Sequence, residues 1–220
     1  MAKQAYVYSG TDWVPLASEV TNLSTYYTSA QVDALDAPTG LKMVVPTSIA
    51  VGSGTGSVDA NGAVTFSGAS SVSLNSCFTS VYDNYRVFLE ITATSASTGM
   101  QLRLRASGTD ASGGNYVGGG YICRFNSATL GGQDLNAGTN FELGGVNSGQ
   151  SSNRVAMDFQ SPFLAQRTGH HSFTTGFDGT SAYGRAQHSN HNLSTSYDGF
   201  TVFPGSGTMT GTIRVYGYKD

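Results

Sequence analysis

Charge is scarce in this chain. Of its 220 residues only 11% are Asp, Glu, Lys or Arg, and 11 basic against 14 acidic side chains leave a formal charge of -3. The basic residues are scattered, so the electrostatic footprint of a nucleic-acid binder is missing. Long apolar runs are missing too. None approaches the roughly 18 residues that cross a bilayer, so no membrane insertion is expected. The opening MAKQAYVYSG has no apolar stretch of signal-peptide type, which predicts synthesis in a cytoplasm without cleavage. Cysteine is limited to Cys77 and Cys123, in no metal-ligand spacing, and both read as buried thiols behaving as small hydrophobes.

What is abundant is glycine, with 29 residues, together with Ser and Thr. Solubility then rests on hydroxyls and amides, and the composition suits turn-rich β-structure better than a helical enzyme. The length allows one main domain with a small appendage.

The appendage comes first. AYVYSGTDWVPLA, from Ala5 to Ala17, alternates apolar and polar residues on both sides of Ser-Gly-Thr-Asp, which predicts a short hairpin. Leu16, Val20, Leu23, Tyr27, Ala30 and Ala34 then recur at four-three spacing, the a/d seam of a coiled coil. Thr28-Ser29-Ala30-Gln31 fits a capping box. A seam so short is marginal as an isolated helix in water, and its narrow stripe suits an oligomerisation surface shared between copies. The other reading of the seam is one amphipathic helix laid on the main core. Asp36-Ala37-Pro38-Thr39-Gly40 ends the segment with turn formers and a proline, so residues 1–40 form an attachment and helical stalk segment and residues 41–220 a head.

The head reads as short strands separated by Gly, Ser and Asn. LKMVV, SIAV, YRVFLEITA, MQLRLRA, GGYICRF, NFELGG, NRVAMDFQ, HSFTTGF, AYGRAQ, GFTVF and TGTIRVYGY are the clearest, and SVDANGAVTF carries a turn at Asn61-Gly62. In YRVFLEI, Tyr85, Val87, Leu89 and Ile91 share one face; in QLRLRA, Leu102 and Leu104 alternate with Arg103 and Arg105. One face is expected dry and the other wet. No βαβ rhythm interrupts these runs, so the expected fold is mainly β, an antiparallel β-sandwich of jelly-roll type.

Chemistry is harder to find. His170-His171 and His188-Ser189-Asn190-His191 are the histidine clusters, read as polar loop residues because no HExxH frame, carboxylate or cysteine completes a metal set. Glu19, Glu90 and Glu142 are far apart in sequence; Asp158, Asp178 and Asp198 could converge in a sandwich as the paired acids of a glycosidase do, although Asp178-Gly179 and Asp198-Gly199 read more simply as turns. No catalytic residue, metal or cofactor is assigned. GGNYVGGGY, from Gly113 to Tyr121, lacks the lysine and the strand-to-helix frame of a phosphate loop, and its glycines suit turns or close backbone approach. Tyr116 and Tyr121 within it are candidates for a sugar-stacking surface, with core or intersubunit packing as the other reading.

Several stretches carry a resemblance. AYVYSGTDWVPLA resembles the Y-x-Y-x-G-x-x-W-x-P element that opens modules of tailed-bacteriophage fibre and minor structural proteins. STYYTSAQVDAL resembles the YYT-x-x-x-V-D-x-L segment of trimeric helical stalks in tail fibres. FTSVYDNYRVFLEI, LRLRASGTDASGGNY and GTMTGTIRVYGYKD are similar to a β-rich domain of phage virion proteins. The resemblance implies a homotrimeric virion appendage, tail or head fibre, that contacts other virion proteins through its amino-terminal segment and a host surface glycan through its head. It brings no active site with it. Host-recognition fibres are commonly much longer, which keeps a capsid decoration protein as the alternative, ahead of a carbohydrate-processing enzyme or a free lectin.

Overall fold

The computed structural model describes residues 6–8, 11–15, 40–127, 130–148, 153–179 and 181–219. The chain divides into two compact units, Met1–Thr39 and Gly40–Asp220. In the first, β1 (Tyr6–Tyr8) pairs antiparallel with β2 (Trp13–Pro15), Val7 opposite Val14, as the alternation on either side of Ser-Gly-Thr-Asp predicts. The four-three seam from Leu16 to Ala34 lies outside the described residues.

The second unit continues with β3 (Gly40–Val44), β4 (Ser48–Val51), β5 (Thr55–Val58), β6 (Val64–Ala69), β7 (Val72–Asn75), β8 (Asn84–Thr94), β9 (Thr98–Ala106) and β10 (Thr109–Asp110). Then come β11 (Tyr116–Arg124), β12 (Leu130–Gly138), β13 (Phe141–Val146), β14 (Asn153–Gln160), β15 (Thr168–Phe177), β16 (Ala182–His191), β17 (Gly199–Pro204) and β18 (Met209–Lys219). Among the described residues they form two antiparallel sheets. The smaller, six-stranded sheet runs β10-β9-β17-β7-β4 with β13 also on β9; the larger, ten-stranded one runs β12-β11-β16-β15-β14-β8-β18-β6-β5 with β3 also on β18.

Inward-facing residues of both sheets make one core, so the unit is a β-sandwich. On β8 the expected dry face is buried at Tyr85, Val87, Leu89 and Ile91, and on β9 at Met100, Leu102 and Leu104. Phe78 sits among the rings of Tyr85, Phe159 and Phe200 at 4.8, 5.4 and 5.7 Å. The Asn61-Gly62 turn is closed by Asp59, whose carboxylate accepts from the amides of Asn61 and Ala63, with Gly62 at φ +88°.

The outward side of β9 is not simply wet. Arg103 lies over the Phe203 ring at 4.7 Å. Arg105 donates to Asp110, to the Gly108 carbonyl, to Ser73 at 3.2 Å and to Thr201 at 2.9 Å, so this guanidinium is nearly buried in a polar cluster. Hydroxyls on neighbouring strands make this possible, and their contribution is invisible from β9 alone.

Two excursions widen the larger sheet. After the short β10 pairs back onto β9, the chain crosses to the larger sheet for β11 and β12 before returning as β13, and it leaves β14 for β15 and β16 before returning as β17. β14-β15-β16-β11-β12 are consecutive neighbours, so the excursions add four of the ten strands of one broad outer face.

Candidate functional site

That outer face is organised in rows, because antiparallel register places directly opposed residues on the same side of a sheet. The central row is Arg214 on β18, Phe88 on β8, Ala156 on β14, Phe173 on β15, Ala186 on β16 and Tyr121 on β11, each opposite the next. Its three rings stand in solvent, with Phe88 41%, Phe173 55% and Tyr121 52% exposed. The two alanines between them are small. Depressions of about 390 Å³ and about 250 Å³ result, the first lined by Phe88, Ala156 and Phe173 and the second by Phe173, Ala186 and Tyr121.

Polar rows flank the aromatic one. On one side run Tyr216, Arg86, Asp158, His171 and His188. Arg86 grips Asp158 with two hydrogen bonds, Nε to Oδ1 at 2.9 Å and Nη2 to Oδ2 at 2.8 Å, and the Tyr218 hydroxyl donates to Oδ1 at 2.6 Å. The hydrogen bond to Asp158 raises the Arg86 pKa, while burial and then Asp158 raise that of Tyr218. His171 and His188 meet edge to face at 4.8 Å. A cleft of about 580 Å³ opens here, lined by Asn84, Asp158, Gln160, His171 and Tyr218. On the other side of the aromatic row, Arg154 donates twice to Glu90, at 2.9 and 3.1 Å, between Thr212 and Thr175. Tyr216 supports Phe88 edge to face at 5.8 Å.

Of the two tyrosines singled out in GGNYVGGGY, Tyr121 belongs to this face and Tyr116 does not. Tyr116 is wholly buried, its hydroxyl donating to the Ala111 carbonyl at 2.7 Å and accepting from the Leu104 amide at 3.0 Å. Burial pushes its phenol pKa up. Its ring is therefore a core element, closed to any surface ligand. The neighbouring glycines allow close approach as expected: a Cβ on Gly120 would lie 2.1 Å from the Ala186 carbonyl oxygen.

The histidines depart from the loop reading, since all four lie in strands, with His171 at the head of the HSFTTGF run already read as one. His170 and His191 face inward and are fully buried. His170 stacks on Phe141 at 4.3 Å, and neither ring nitrogen has a hydrogen-bond partner. Desolvation lowers its pKa to about 3, helped by His171 and His188 and opposed by Asp158. His191 shares a hydrogen bond with the Tyr197 hydroxyl at 3.0 Å, and burial lowers it to about 4. Among the described residues no group of three or more His, Cys, Asp or Glu is placed to hold a metal ion. Cys77 is buried with its thiol pKa raised by desolvation, whereas Cys123 is only half-buried, on the outer face beyond Tyr121.

The acids weighed as a glycosidase pair have separate partners. Asp158 is held by Arg86, Asp178 accepts from Arg124 Nε at 3.0 Å, and Asp198 accepts from the Ser107 amide at 3.1 Å. Glu90 belongs to Arg154, and Glu142 accepts from Gln101 and Asn140. Glu19 lies outside the described residues.

No protein-family model and no curated protein matches the chain. The reading of this face therefore rests on its geometry. Phe88 and Phe173 were missed in the sequence, but Phe88 left a signal: it occupies the wet phase of YRVFLEI, between Arg86 and Glu90, where an aromatic ring has no packing reason to be.

Proposed function

We propose that this chain is a non-enzymatic structural fibre protein of a bacteriophage virion, a homotrimer whose head adheres to the host surface. The observation that carries the reading is the exposed row Phe88, Phe173 and Tyr121 on a sheet face where the neighbouring carboxylates Asp158 and Glu90 are already engaged by arginines. Such a face offers contact area without an ionisable pair poised for acid and base work. The head is jelly-roll-like. Supporting this, β6-β18-β8-β14 in one sheet and β7-β17-β9-β13 in the other follow the interleaved order of that fold, with the two excursions added to it.

The amino-terminal unit attaches the head to other virion proteins, and the Leu16, Val20, Leu23, Tyr27, Ala30 and Ala34 seam joins three copies. Three heads per fibre convert later contacts into intramolecular ones, so weak adhesion becomes strong at the particle. Two measurements test the proposal. Light scattering of the intact chain at micromolar concentration should give three times the protomer mass. Particles lacking the protein should attach to host cells more slowly than particles carrying it; equal attachment would defeat the adhesive role and favour capsid decoration.

A further inference from the structure

The spacing of the aromatic row says what kind of molecule it suits. Phe88 and Phe173 are separated by one strand, β14, and Phe173 and Tyr121 by one strand, β16. Neighbouring strands lie about 4.7 to 4.9 Å apart, so successive rings repeat at roughly 9.4 to 9.8 Å across the sheet. This is close to the repeat of two pyranose rings in an extended, β-linked polysaccharide.

We propose that an extended, uncharged polysaccharide lies across the strands of the larger sheet, with alternate sugar rings stacked on Phe88, Phe173 and Tyr121. The rings between them sit in the depressions of about 390 and 250 Å³ over Ala156 and Ala186. A larger side chain at either alanine would fill the trough and lift the glycan off the aromatic faces.

The flanking rows supply what sugar hydroxyls need. Hydrogen-bond donors and acceptors border both edges of the glycan: Arg154, Glu90 and Thr175 on one side, His171, Asp158 and the amides of Asn84 and Gln160 around the cleft on the other. Charge complementarity favours a neutral ligand. Arg86 is matched by Asp158 and Arg154 by Glu90 within the same chain, leaving Arg214 at one end of the central row and Asp134, reached from His188 through Gly119 at the far end of the polar row, as two further and opposite charges. A polyanion would meet three carboxylates on this surface, Asp158, Glu90 and Asp134, and gain little from arginines already engaged. The smaller sheet presents a different surface at Arg105, where the guanidinium is nearly enclosed by Asp110, Ser73 and Thr201.

This inference deepens the adhesive reading above and rests on it. The test uses the intact protein and isothermal titration with linear, uncharged β-1,4-linked hexasaccharides of glucose, N-acetylglucosamine, mannose and xylose. At least one should bind, more tightly than its own disaccharide, with little dependence on salt. Phe173→Ala, at the centre of the row, should weaken that binding about tenfold or more, equivalent to 1.4 kcal/mol. Ala156→Leu should weaken it comparably by filling a trough, while both variants keep the wild-type circular dichroism spectrum. Two results overturn the inference: no hexasaccharide binds at millimolar concentration, which together with a changed oligomeric mass in Phe173→Ala makes the face a subunit interface; or binding is unchanged in both variants. Loss of host attachment by Phe173→Ala particles without any sugar binding would also overturn it, yet would leave the adhesive reading standing with a receptor of another class.

Discussion

Replacing His170 with phenylalanine should make the head resistant to acid. His170 is fully buried, stacked on Phe141 with the two ring planes 13° apart, and has no hydrogen-bond partner on either nitrogen. The folded state therefore holds it neutral down to about pH 3, whereas in the unfolded chain it takes up a proton near pH 6.5. Between those values the unfolded state binds more protons than the folded one, so stability is fully present above pH 6.5 and is lost as pH falls. At 1.36 kcal/mol per pH unit the loss is about 3 kcal/mol at pH 4 and about 4 kcal/mol at pH 3, where the folded state begins to take up the proton as well. That is a large share of the 5 to 15 kcal/mol typical of a folded domain. His191, lowered to about 4, adds a loss of the same sign over a narrower interval. Phenylalanine keeps the stack on Phe141 and removes the titrating group. Urea denaturation followed by circular dichroism, at steps from pH 7.5 to 4 for both proteins, isolates His170, because the carboxylates protonate alike in each. The stability difference in favour of the variant should widen by about 3 kcal/mol across that range. A difference that stays constant with pH refutes the reasoning, whatever its size at neutrality, where the added ring atom carries its own packing cost.

Two further substitutions address the interior. Tyr116→Phe removes the hydroxyl that satisfies both the Leu104 amide and the Ala111 carbonyl, and should cost about 1 to 3 kcal/mol in urea denaturation while leaving host attachment intact; lost attachment with unchanged stability would return Tyr116 to the surface reading. Arg105→Ala leaves Asp110, Thr201 and Ser73 facing a vacated, nearly enclosed site and should cost about 3 kcal/mol; a cost below about 0.5 kcal/mol would mark the cluster as solvated surface.

Alternation in each run of the head is a local property, and it determined much before any tertiary structure was known. Tyr85, Val87, Leu89 and Ile91 lie on one face because side chains of a strand point to opposite sides in turn, and no distant contact is needed to say so. The turn at Asn61-Gly62 is equally local. Two of the strands the sequence hid lack alternation: VSLN of β7 is buried along Val72, Ser73 and Leu74 in succession, and LGGQDLNAG of β12 is too rich in glycine and polar residues to show a period. Tyr116 and Tyr121 looked alike among their glycines, yet they stand an odd number of positions apart in one strand, so they point to opposite sides of the sheet. Deciding which side was the core required the neighbours of β11. The histidines looked like loop residues for a related reason, since the inner faces of β15 and β16 are lined by Thr168, Ser172, Thr174, Gln187 and Ser189 and carry no hydrophobic alternation. Above all, the aromatic row draws on β8, β15 and β11, which are separated in the chain and become neighbours only through register. The periodicity of a strand tells which residues share its face; which residues of other strands stand beside them depends on sheet order and on where each strand stops sliding against the next, and the whole molecule sets those together.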